Sequence, residues 1–153
     1  MIQYYEITKN IHEYLDTHND INSTLVGVNI SNIDTLKQTI FPLGHVLVNS
    51  VQPYQDTTGA ATFSVTVSVM DILDLNNDEL DKGNFKGNDN KQDILNTMLE
   101  VLMGLNREIM KGDMSELGYD LVSRSSFEPF EDRFENLLVG WTGTFTIDAP
   151  NRT

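Results

Sequence analysis

Ala61-Thr-Phe-Ser-Val-Thr-Val-Ser-Val-Met-Asp-Ile-Leu-Asp74 is the stretch whose reading decides how this chain folds. From Ala61 to Val69 it alternates without a break. Ala61, Phe63, Val65, Val67 and Val69 share one face, and Thr62, Ser64, Thr66 and Ser68 share the other. A period of two in β-branched and aromatic residues predicts a strand with one buried face. Its outer face is hydroxylated but uncharged. The design returns near the C-terminus, where Val139, Trp141, Gly143, Phe145 and Ile147 alternate with Gly140, Thr142, Thr144, Thr146 and Asp148. With Trp141 on a core face, its truncation to Ala is expected to cost about 3–5 kcal/mol.

Working outward from the first strand, Pro53 to Ala60 is a polar loop with glycine, and Phe41 to Val51 is a further strand pattern. A short connection between two strand patterns predicts an antiparallel β-hairpin. Pro42 suits only the start of its strand or a sheet edge. His45 lies within that strand without a neighbouring acid or nucleophile and reads as structural. Before the hairpin, Tyr4, Ile7, Ile11, Tyr14, Leu15 and His18 follow helical spacing over 3–18. His12 and His18 on that segment read as solvated or half-buried. Thr24 to Ile30 is a short strand interrupted by Gly27, and Ser31 to Thr39 a brief helix.

After the hairpin, residues 75–91 turn into Asn, Asp, Gly and Lys and read as a mobile surface loop. The clearest helix spans 91–111, with Asn90 positioned to cap it and Lys111-Gly112 to close it. Ile94, Leu95, Met98, Leu102, Leu105 and Ile109 form its buried stripe, and Met98, Met103 and Met110 read as gap-filling core. Tyr119 to Ser126 is a third strand candidate. Phe127 to Phe134, aromatic, acidic and proline-bearing, fits either a loop or one helical turn. The final strand runs from about Leu137 to Asp148, followed by a short polar tail. The order predicts one α+β domain over 1–153, a mainly antiparallel sheet with a long hairpin and helices packed on one face.

Composition narrows the function. At 153 residues the chain is long enough to bury a core, and 39% of it is hydrophobic. It has 23 Asp and Glu against 10 Lys and Arg, a formal net charge of −13. That balance argues against gripping nucleic acid or anionic membrane, since both depend on cationic side chains. No apolar run reaches membrane-span length, and the N-terminus shows no apolar signal region. The absence of cysteine excludes disulfides and thiol nucleophiles.

Signatures of chemistry are few. The chain contains no Gly-x-Ser-x-Gly, phosphate loop, dinucleotide glycine fingerprint or His-Glu-x-x-His. Asp74, Asn76 and Asp78 match the first calcium-loop positions, but the sixth position is Glu79 rather than Gly and the twelfth is Phe85 rather than Glu. A small-ligand or calcium-binding module using the acidic 74–89 loop is therefore an alternative reading. Asp71 and Asp74 end the central strand, and strand termination explains them as well as catalysis does. Arg124 and Arg133 stand out in an acidic chain. Arginine favours bidentate carboxylate pairing, either across a subunit contact or within the chain to Glu131 or Asp132. No catalytic residue, metal ligand or cofactor is expected.

Several of these segments together resemble tail-terminator, or tail-completion, proteins of tailed bacteriophages. The resemblance rests on Phe-Pro-Leu-x-His (Phe41 to His45), Val-Ser-Val-Met-Asp-Ile-Leu (Val67 to Leu73) and Leu-Asn-x-Met-Leu (Leu95 to Leu99). It continues in Pro-Phe-x-Asp-Arg-Phe-x-Asn (Pro129 to Asn136) and Gly-Trp-x-x-x-Phe-x-Ile (Gly140 to Ile147), so it covers most of the chain. Other neck and head-tail connector components share similar size and fold. The resemblance implies a virion structural protein without catalytic residues, assembled in the host cytoplasm. It implies a homo-oligomeric ring, commonly of six subunits, that caps the tail tube protein and meets a neck or head-completion protein. DNA would pass through without specific binding. Under this reading the interface candidates are Thr62, Ser64, Thr66 and Ser68 on the hydroxylated strand face, the arginines Arg124 and Arg133, and Asp56 and Asn84 in the two loops suited to ordering on a partner.

Overall fold

A computed structural model describes residues 3–27, 41–56, 59–72, 90–132 and 138–150. The two alternating stretches are its centre. Strands β3 (Ala61–Ile72) and β6 (Leu138–Ala149) run antiparallel in unbroken register, from Ala61 opposite Ala149 to Ile72 opposite Leu138. Strand β2 (Leu43–Pro53) flanks β3 antiparallel, as the expected hairpin. Strand β1 (Ser23–Val26) then adds to β2 in parallel. On the far side, β4 (Asp120–Leu121) and β5 (Ser126–Asp132) pair in succession along the free edge of β6. The sheet order is β1-β2-β3-β6, with β4 and β5 sharing the last place. One parallel pairing in an otherwise antiparallel sheet makes the fold α+β, as expected.

Helices α1 (Gln3–Thr17) and α2 (Asn90–Lys111) lie on one face of this sheet. Ile7, Ile11 and Leu15, one helical face at four-residue spacing, are fully buried. Ile94, Met98, Val101, Leu102, Leu105 and Ile109 do the same on α2. They close over Phe63, Val65, Val67, Val69, Phe145 and Ile147 in one apolar cluster. Transfer of this surface out of water is the main favourable term of the fold. Trp141 points to the same side, half-buried, and its Nε1–H donates to the Leu95 carbonyl of α2 at 2.8 Å. A single side chain thus packs in the core and ties helix to sheet.

Two glycines of β6 answer to close approach. A Cβ on Gly140 would meet the Met70 Cα at 2.8 Å, which is backbone and cannot swing aside. At Gly143 it would meet the Phe127 ring at 2.9 Å. That ring lies across the glycine and packs on Phe145 with centroids 5.6 Å apart, closing the edge of the core.

Several expectations change. The segment 119–126 holds only the two residues of β4. After Val122, whose N–H still donates to the Thr146 carbonyl at 3.0 Å, the chain bulges out before pairing resumes at Ser126, so that Leu121 opposes Ile147 while Ser126 opposes Thr144. The segment from Phe127, open between loop and helical turn, is strand β5 through Asp132, and Pro129 is tolerated there because β5 is an edge. A short turn, α3 (Asp113–Glu116), follows α2 and seats the buried Met114. Tyr4 is 43% exposed rather than core. The brief helix expected from Ser31, the calcium-like residues and most of the 75–91 loop lie outside the described residues. No described helix is long and apolar enough to cross a membrane.

Trp141→Ala is expected to lower unfolding free energy by about 2–4 kcal/mol, less than full burial implies because the side chain is only partly buried. Trp141→Phe keeps most of the packing and loses the Leu95 bond, about 1 kcal/mol. Gly140→Ala is expected to cost about 1–3 kcal/mol through forced separation of β3 and β6. Urea titration checks all three.

Candidate interaction surface

Cross-strand register places the remaining side chains, because directly opposed residues share a face. On the side away from the helices, Gln52, Thr62, Asp148 and Asp120 form one row across four strands. The next rows are Ser50, Ser64 and Thr146, then Leu47, Thr66, Thr144 and Ser126. His45, Ser68, Thr142 and Glu128 form the fourth. No described helix covers these rows, and none of these positions is lysine or arginine.

The hydroxyl face is not uniform. Beyond the fourth row, Leu43 and Met70 are fully buried and pack with Phe41 and Leu138 in a second apolar cluster, flanked by Leu25, Ile72 and Phe130. The alternation of β3 ends here because Val69 and Met70 both need cover, on opposite faces. Ser68, next to this cluster, is only 4% exposed and shares a hydrogen bond with Thr142 at 3.2 Å. It is therefore not available as a surface residue, contrary to expectation. His45 in the same row is also buried. Thr62, Ser64 and Thr66 are half-buried and reachable, and Thr144 is exposed.

At the hairpin end one carboxylate organises the surface. Asp148 accepts from the Thr62 hydroxyl at 2.6 Å and from the Tyr54 hydroxyl through its other oxygen. The carboxylate beside the Tyr54 hydroxyl raises that phenol above its ordinary range. Asp148 thus pins the start of the hairpin loop to the end of β6. Asn49 donates to the Thr66 hydroxyl at the bulge between Val48 and Ser50. Asp56 is exposed in the hairpin loop.

The other expected residues scatter. Arg124 is exposed in the link between β4 and β5, on the opposite edge from the hairpin, and makes no ion pair among the described residues. Glu131, its suggested internal partner, instead binds Lys91 of α2 at 2.5 Å. Arg133 and Asn84 lie outside the described residues. Met98 is core, but Met103 and Met110 are 46% and 50% exposed. They stand on the outer side of α2 and line a groove against the Arg124 link rather than filling the interior. Only the register of β4 and β5 on β6 places that link beside α2.

Asp71 faces the helices, opposite Val139, and lines a cavity of about 530 Å³ with Asp20, Asp93 and Asn22. Burial pushes its carboxyl above the usual carboxylate range, opposed by the Ile72 N–H, which donates to Oδ1 at 2.8 Å. Among the described residues no group of three or more His, Asp or Glu is arranged to hold a metal ion. No family model matches the chain, and no curated protein matches it.

A carboxyl raised on folding binds its proton more tightly in the native state, so its ionisation opposes folding at neutral pH. Stability is regained as pH falls through the raised value. Asp71→Asn, which keeps an acceptor for the Ile72 N–H, is expected to raise the urea midpoint at pH 7. The gain should vanish towards about pH 4, where the unfolded carboxyl also protonates. A lowered midpoint at pH 7 would show that the carboxylate is held for a favourable contact.

Proposed function

We propose that this chain is a structural protein of a tailed-phage virion that self-associates into a ring, caps the tail tube and joins it to the head or neck. The observation that carries the reading is the one-sided sheet. All described helices lie on one face, while the other presents four strands rich in Ser and Thr, with Asp and Glu at its margins, Leu47 as an exposed apolar residue and no lysine or arginine among the described positions. Such a face is polar enough to stay wet, and its described rows offer no cation to hold a phosphate backbone. In a ring, helices outward and open face inward give a passage that duplex DNA traverses without sticking. The sequence resemblance to tail terminators supports the same arrangement. The Trp141, Phe145 and Gly140 positions of that resemblance act in packing, which suits a scaffold.

Purified protein is expected to sediment as a closed oligomer and to appear as rings in negative stain, binding the ends of tail tubes. Wild type should leave duplex DNA unretarded in gels. Thr66→Lys with Thr144→Lys, two cations set on adjacent strands of the open face, should introduce retardation that weakens with salt. A strictly monomeric protein that never meets tube ends would overturn the reading.

A further inference from the structure

The sheet's long described edges are poor templates for an added strand. On β2, β1 covers only Leu43 to Val46. The free edge beyond carries a bulge between Val48 and Ser50 and ends on Pro53. On the other side, the β4–β5 edge is broken by the bulge between Val122 and Ser126 and carries Pro129. Bulges and prolines interrupt the regular row of donors and acceptors that an added strand needs. A contact between copies through side chains is therefore favoured over strand addition along these edges.

Two surfaces fit such a meeting. The first is the groove between α2 and the β4–β5 link, about 750 Å³, walled by Met103, Met110, Val122 and Phe127. Val122, Met103 and Met110 are each about half exposed. Unbranched thioether side chains adapt to an incoming surface. Arg124 stands in this groove as a cation without an ion pair among the described residues, and Asp120 also lines it without reaching Arg124. The second surface is the tip of the β2–β3 hairpin. Val51 and Tyr54 are each 44% exposed there, with exposed Asp56 beside them. The tip and the groove lie at the same end of the sheet, since Gln52, Thr62, Asp148 and Asp120 are in register. They sit on opposite edges, three strand spacings or about 15 Å apart.

We infer that the Met103/Met110 groove receives the hairpin tip of a second copy, with Arg124 taking its carboxylate. This rests on the ring reading and deepens it by naming the contact. Charge selects the occupant: a lone groove cation calls for an acidic partner, and another copy of a chain with 23 acids and 10 bases is one. Donor and acceptor surfaces differ and lie on opposite edges, so the contact is head-to-tail. A head-to-tail contact closes into a ring when its rotation permits.

Because the chain has no cysteine, engineered pairs report cleanly. Full-length Gln55→Cys/Ser123→Cys protein, oxidised mildly, is expected to give a ladder of covalent oligomers, and either single variant none beyond dimer. Arg124→Asp should weaken association in sedimentation at least tenfold with unchanged circular dichroism, and adding Asp56→Arg should restore it. If the protein sediments as a ring but shows neither ladder nor charge-swap rescue, the groove contact is wrong and the ring reading stands. A monomer at every concentration would overturn both. If Arg124→Asp spares the ring yet abolishes tail-tube binding, the groove belongs to a different partner and the inference fails.

Discussion

The β3–β6 ladder is the constraint on which everything else depends. Twelve consecutive pairs hold the two strands in one register. A slip by one residue would turn Phe63, Val65, Phe145 and Ile147 out to water and bring hydroxyls against the helices. Both strands are interior to the sheet, so their backbone groups are paired on both sides over much of their length. Gly140 lets the two backbones come as close as the twist demands. From that register follow the floor of the core and the hydroxyl rows of the opposite face.

The helices complete the core from one side only, and the division of charge follows. The described lysines and arginines stand on helices or on the β4–β5 link: Lys9 on α1, Lys91, Arg107 and Lys111 on α2, and Arg124 on the link. The open face retains hydroxyls and amides, with Asp120, Asp148 and Glu128 towards one edge. Where the face does become apolar, at Leu43, Met70 and Leu138, those side chains are already buried together. What remains exposed is a mainly polar surface with Leu47 as its one large apolar side chain among the described rows, and the adhesive features, the groove and the hairpin tip, stand at its two edges. That separation suits a subunit that meets its neighbours edge to edge while keeping one sheet face clear.

Much of this was legible from periodicity. Strict alternation placed β3 and β6, a glycine-containing polar loop between strand patterns placed the hairpin, and three-four spacing placed α1 and α2. The failures share a cause: local pattern is silent where tertiary pairing decides. Segment 126–132 carries Pro129 and three acids, poor strand formers in isolation, and becomes a strand because β6 offers it an edge. Ser68 reads as surface from its alternation, yet it is buried and shares a hydrogen bond with Thr142. Met103 and Met110 continue an apolar composition but stand off the buried stripe of α2, so residue type alone misplaced them. Arg124 was marked as an interface residue by its rarity, and the groove around it became visible only with the fold.

Thiol labelling at one position of the open face tests its exposure most directly. Thr144→Cys, in the otherwise cysteine-free chain, should react with a small maleimide in native protein nearly as fast as in urea, at every protein concentration. A native rate slower by about a hundredfold would mean that the face is covered, and that it cannot line an open passage.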